Sequence, residues 1–193
     1  MKRIILTLCI IIIIACGSFS LSWSDDFQKG MEAYEKGDFT NAIKEWILLA
    51  EDGDEKAQYF LGLIYYKLGY EAGHKETLRQ ALQCYQNALK VYSKSRTPAR
   101  WAEVMSSFAR TAQVFGEHVK SLEALATAAN AYQAVLQVRN RKKGPLAWAA
   151  TQNNLGSALF LLGKKANNLD RIEAAIDAGA TTINIPDLSL IHI

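Results

Sequence analysis

Residues 98–116, PARWAEVMSSFARTAQVFG, and residues 145–163, PLAWAATQNNLGSALFLLG, carry the same landmarks in the same order. Pro98 falls on Pro145, Trp101 on Trp148, Phe108 on Leu155, Ala109 on Gly156 and Gly116 on Gly163, all at one shift of 47. The same shift places Gly69 on Gly116, Leu61 on Phe108, Tyr85 on Tyr132, and Ala81 on Ala128 and Ala175. Matches this dense at one fixed spacing mark a stacked repeat, in which each unit buries its apolar face against its neighbours.

The residues between the landmarks recur at helical spacing. Trp101, Met105, Phe108, Ala112 and Phe115 form one apolar stripe, and Leu122, Leu125, Ala129, Tyr132 and Leu136 form its partner. In the first unit Phe27, Met31 and Tyr34 are followed by a break at Gly37-Asp38. A second stripe of Ala42, Ile43, Trp46, Leu49 and Ala50 comes next, and Asp52-Gly53-Asp54 is the loop to the following unit. Glycine or alanine pairs seven residues apart (Gly30 and Gly37, Gly62 and Gly69, Ala109 and Gly116, Gly156 and Gly163) are expected to mark the middle and the end of each first helix. Pro98 and Pro145 suit the first turn of a helix, where the missing N–H is not needed. Eight helices and no strand follow.

The first unit is shorter. Gly37 to Ala42 is five residues, whereas Gly69 to Ala81, Gly116 to Ala128 and Gly163 to Ala175 are each twelve. The seven extra residues are expected near the turn between the paired helices. The expected units are residues 25–54, 55–95, 97–142 and 144–178.

A small residue in mid-helix, a Gly two turns later, an Ala on the partner helix and an aromatic four residues past it resemble the tetratricopeptide repeat. Gly62, Gly69, Ala81 and Tyr85 form one such set, and Ala109, Gly116, Ala128 and Tyr132 another. The stretches GMEAYEKGDFTNAIKEW and AEDGDEKAQYFLGLIYY are also similar to the Sel-like repeats of bacterial proteins. The resemblance covers roughly residues 25–178. It implies an all-α fold, an α-solenoid of about four antiparallel helix pairs, and protein or peptide binding in a concave groove lined by the first helix of each pair. Carried over position by position, it implies a groove of Tyr34, Lys56, Tyr59, Tyr66, Lys67, Arg110, Gln113, Asn153 and Phe160. Aromatic rings supply area, Arg and Lys take carboxylates, and amides hold a peptide backbone. Tyr59 and Tyr66 also suit packing against the second helices.

The amino terminus has a different composition. Met1-Lys2-Arg3 is a basic head, and Ile4 to Ala15 is apolar except for Thr7. Twelve helical residues span about 18 Å, less than the roughly 30 Å of a bilayer's hydrocarbon core. A short apolar run with a small-residue tail is the pattern of a secretory signal over residues 1–24, cleaved after Ser22 or Ser24. Ile13-Ile14-Ala15-Cys16-Gly17 also resembles a lipobox, in which an acylated Cys16 would tether a periplasmic protein to the membrane without spanning it. Either way Cys84 is the single cysteine of the mature domain, so the fold is expected to hold by packing without an internal disulfide.

The chain has 22 basic and 19 acidic residues, and discounting Lys2 and Arg3 leaves 20 against 19. That balance gives no general attraction to nucleic acid, and the run Arg139-Asn-Arg-Lys-Lys143 is the one local excess of charge. His74, His118 and His192 are scattered, without the paired spacing of a metal site. Phosphate-loop and dinucleotide glycine patterns are absent. Glu117-His118 is expected in a turn, and Asp25-Asp26 and Glu51-Asp52 at helix ends. No enzyme, cofactor or metal is expected. The closing stretch ATTINIPDLSLIHI matches none of the earlier units, Gly179 stands where the shift calls for an aromatic, and LSLIHI resembles translated adaptor sequence. The expectation is an aberrant tail over 179–193, with further repeats in the natural chain. Two other functions fit the same sequence: the repeat portion of a larger enzyme or signalling protein, and a structural array that self-associates.

Overall fold

A computed structural model describes residues 25–167 together with 170, 173, 174 and 177. The expectations for residues 1–24, including Cys16, and for 179–193 lie outside the described residues, as does most of the stretch where an eighth helix is expected. The described residues are all-helical and contain no strand. The helices are α1 (residues 25–35), α2 (Phe39–Glu51), α3 (Glu55–Ala72), α4 (Lys75–Val91), α5 (Pro98–Val119), α6 (Leu122–Leu136) and α7 (Pro145–Ala166). The chain divides into two compact units, with the division inside α3 after Leu61.

In the first unit, α1 and α2 run antiparallel around Trp46, which is fully buried. Its indole Nε1 donates to the Phe27 carbonyl at 3.1 Å, so the polar edge of the ring is satisfied. Phe27, Tyr34 and Phe60 surround it at ring-centroid distances of 5.6, 5.8 and 5.2 Å. Gly30 sits against the indole ring, leaving no room for a Cβ. Asp38 starts α2 by accepting from the Asn41 amide at 3.1 Å, and that bond holds its carboxyl below the ordinary carboxylate value.

The second unit repeats the hairpin with longer rods. Gly62 faces the ring of Tyr85 and Gly69 faces Leu78, so α3 and α4 are antiparallel. Gly116 faces Leu125 in the same way, pairing α5 with α6. Beyond the hairpins, α5 packs on α4, α6 packs on α7, and α5 touches α7. The core joins Ala109 and Ala112 of α5, Ala128 and Tyr132 of α6, and Leu155 and Ala158 of α7. Alanine dominates because the helix backbones approach closely, and a larger side chain would part them.

The spacing of 47 is visible in the helix bounds. Both α5 and α7 are 22 residues long and begin with Pro, at 98 and 145. Gly73, Lys120 and Asn167 end α3, α5 and α7 in the left-handed region, with φ of +65°, 57° and 50°. The closing bonds match: Gly73 to Tyr70 and His74 to Gly69, then Lys120 to Glu117 and Ser121 to Gly116. This is the two-bond closure of a Schellman motif.

Here the structure corrects the sequence reading. Gly69, Gly116 and Gly163 do not end their helices; they lie within them, one turn before the close. Gly69 and Gly116 are small because the partner helix passes over them: a Cβ on Gly69 would lie 2.9 Å from the Leu78 backbone nitrogen. Only Gly37, with φ +76°, ends its helix as expected, and its counterpart in the later hairpins is Gly73 or Lys120. Glu117 and His118 are accordingly helical and not in a turn. The seven extra residues are helical too. From Gly30 to the closing Gly37 is seven residues, and from Gly62 to Gly73 is eleven. From the cap Asp38 to Trp46 is eight, and from His74 to Tyr85 is eleven. The insertion therefore adds about one turn to each rod and leaves the connecting loop unchanged.

Candidate functional site

The first helices of successive hairpins lie side by side in the second unit, and three of the residues that tie them together, Tyr66, Arg110 and Gln113, are among those the sequence singled out. On α3, Tyr66 is half-buried and stacks on Tyr70, with centroids 5.8 Å apart and planes 22° from parallel. The Arg110 guanidinium of α5 lies 5.6 Å from the centre of the Tyr66 ring. An arginine over an aromatic face is held by the ring quadrupole while its N–H edges stay available to a partner. Next along α5, the Gln113 amide donates to Ser157 Oγ of α7 at 3.0 Å and lies 3.4 Å from Glu117 Oε1. Tyr66 and Arg110 thus join α3 to α5, and Gln113 and Ser157 join α5 to α7.

Behind this surface stands Tyr132 of α6, whose ring is 1% exposed. Burial pushes its hydroxyl well above the ordinary tyrosine value, while the Arg110 charge pulls the other way. Tyr66 is raised for the same reason, burial first, with Arg110 again opposing. Both phenols are therefore neutral hydrogen-bonding groups across the physiological range. Phe160 is 47% exposed and Tyr70 is 58% exposed, unusual values for large rings.

The remaining residues divide by unit. Lys67 and Asn153 are exposed on α3 and α7 of the second unit. In the first unit, Lys56 is exposed, but Tyr34 belongs to the aromatic cluster, 5.9 Å from Phe39 and 5.7 Å from Phe60. Tyr59 meets Phe60 edge-on at 5.4 Å. The structure brings Tyr66, Arg110 and Gln113 into one surface, and Tyr34, half-buried, joins the aromatic cluster of the first unit. Tyr66 packs on the neighbouring first helix as well as against the layer behind it.

Tyr70 and Ser157 were missed. Both carried a signal: Tyr70 is one helical turn from Tyr66, and Ser157 is the counterpart of Arg110 at the shift of 47. The same shift carries Tyr66 to Gln113 and Phe160, so one helix position supplies a phenol, an amide and a phenyl ring in turn.

No group of three His, Cys, Asp or Glu side chains is placed to hold a metal ion among the described residues. No helix there is long and apolar enough to cross a membrane. Cys84 is half-buried and unpaired by any disulfide, and burial pushes its thiol up to about 11, away from the reactive thiolate. The surface offers rings, a guanidinium and amides, a set suited to non-covalent recognition. What the fold defines is an all-helical protein of paired antiparallel rods. The chain matches no family model and no curated protein.

Proposed function

We propose that this chain is an exported, tetratricopeptide-like α-solenoid that binds an extended segment of a partner protein. The segment lies across the first helices of its hairpins. Residues 1–24 act as the export signal, and the protein works in the bacterial cell envelope, either free in the periplasm or tethered through Cys16. The observation that supports the reading is the Arg110–Tyr66 pair at 5.6 Å, continued by Gln113 and Ser157 into α7. It forms a strip of recognition chemistry running across three helices. Asn153, Phe160 and Lys67 extend the strip with an amide, an exposed ring and a cation.

The test is selection of binding peptides from a displayed random library, followed by titration against the double variant Tyr66→Ala/Arg110→Glu. The variant loses at least tenfold in affinity, because it removes the ring that positions the guanidinium and reverses the charge. Its far-ultraviolet circular dichroism stays at the wild-type value. Unchanged peptide affinity in a folded variant refutes the reading.

A further inference from the structure

The chain's modest net charge conceals a strong local asymmetry. Residues 93–103 and 137–148 contain seven cations, Lys94, Arg96, Arg100, Arg139, Arg141, Lys142 and Lys143, against one carboxylate, Glu103. These stretches are far apart in sequence, yet the structure joins them: the Lys94 ammonium donates to the Gln137 side chain. All seven cations therefore gather at one end of the α5–α7 layer. Six are exposed, and Glu103 is engaged by Arg100 at 2.9 Å. The remainder of the chain carries more acids than bases.

Apolar groups are interleaved with these charges. Lys94 lies 6.0 Å from the centre of the Trp101 ring and Arg141 lies 5.9 Å from that of Trp148. Leu146 is 42% exposed at the start of α7, beside an exposed Pro145. Between the helix starts opens a cavity of about 560 Å³ whose lining includes Pro98, Ala102, Val138 and Ala147. Arg139 and Lys143 line it too, together with Glu103, whose carboxylate is engaged by Arg100. Arg139 is held there by Thr151, which accepts its N–H at 3.0 Å and is itself 1% exposed. The opening turns of α5 and α7, neither closed by a side-chain cap, border the same space.

We propose that this end of the second unit is a docking face for an anionic phospholipid surface, with a lipid phosphate received beside Arg139 and Lys143. A membrane interface rewards this mixture in a way that an acidic polypeptide does not. Cations meet the phosphate layer while tryptophans and a protruding leucine enter the boundary beneath it. The face is separate from the Tyr66–Arg110 strip and does not depend on its role. It would give the protein a membrane contact besides any lipid at Cys16.

The experiment is co-sedimentation of the full chain with phosphatidylglycerol-containing vesicles and with pure phosphatidylcholine vesicles. The comparison variant is Lys94→Gln/Arg141→Gln/Lys142→Gln/Lys143→Gln, whose helicity is checked by circular dichroism. Both proteins keep residues 1–24, so binding through them is a common floor, and the face is read as the partition above it. Each cation near an anionic surface strengthens partition roughly fivefold at low salt, so the variant weakens binding several-hundred-fold. Brominated phosphatidylglycerol quenches tryptophan emission in the wild type, and Trp148→Phe reduces that quenching. The Tyr66→Ala/Arg110→Glu variant retains vesicle binding, so the two proposals fail separately. Equal partition onto both vesicle types, or full binding by the folded quadruple variant, overturns the lipid face. Displacement from vesicles by soluble polyglutamate at equal charge also overturns it and assigns the face to an acidic protein.

Discussion

The substitution Gly62→Ala isolates the force that shapes this fold. A Cβ at position 62 would sit 2.5 Å from Cε1, 2.8 Å from Cδ1 and 2.9 Å from Cζ of Tyr85. Carbon atoms in ordinary contact are about 3.5–4.0 Å apart. The overlap is therefore about 1 Å, and it falls on a ring that is fully buried and has no open side to turn toward. Relief requires α3 and α4 to move apart, a strain of about 1–3 kcal/mol for overpacking. Alanine is the better helix former by about 1 kcal/mol, which opposes the strain. The clash wins by up to about 2 kcal/mol, and the melting temperature falls by up to several degrees. In a Tyr85→Leu background the ring atoms are gone, and the same Gly62→Ala change becomes neutral or stabilising by up to about 1 kcal/mol. Urea unfolding followed by circular dichroism on the four chains of this cycle yields the coupling directly. A Gly62→Ala protein as stable as the wild type, or a penalty that persists without the ring, refutes the reasoning.

Two more predictions follow from local geometry. Lys120→Gly relieves a left-handed residue at φ 57° and raises stability by about 0.5–1 kcal/mol, after the greater freedom of glycine in the unfolded chain is set against it; a loss of stability in the same denaturation assay contradicts this. Burial raises the Cys84 thiol from an ordinary 9.0 to about 11, so its stabilising contribution is complete below pH 9 and is lost as pH rises through 11. Unfolding midpoints measured between pH 8 and 11 fall less steeply in Cys84→Ala, and parallel curves for the two proteins count against that account.

Much of this architecture is written locally. The spacing of 47 and the helical stripes on either side of it announce paired helices, because a 3.6-residue period and a small residue at each crossing are properties of the chain itself. The buried set of Ala42, Ala81, Ala109 and Ala128 was readable for the same reason. So was the turn at Asp52-Gly53, where φ is +97°. The candidate site was less legible. Tyr66, Arg110 and Gln113 were singled out by resemblance, but Tyr34 in the same set turned out to pack in an aromatic cluster.

The helix ends were misassigned from sequence because a glycine needed for close approach and a glycine needed for a left-handed φ look identical in one dimension. Gly69 serves the first need and Gly73 the second, and at the equivalent of Gly73 the later hairpins place Lys120 and Asn167, which carry no such signal. Only tertiary contacts distinguish the two roles, since the first depends on how near Leu78 passes. The pooling of seven cations is likewise invisible along the chain, where they occur as two modest groups some forty residues apart. Helix period and small-residue spacing are set by bonds and sterics within a few residues. The placing of Arg110 over Tyr66, and of Lys94 against Gln137, is decided by how the rods stack, which is a property of the folded layer.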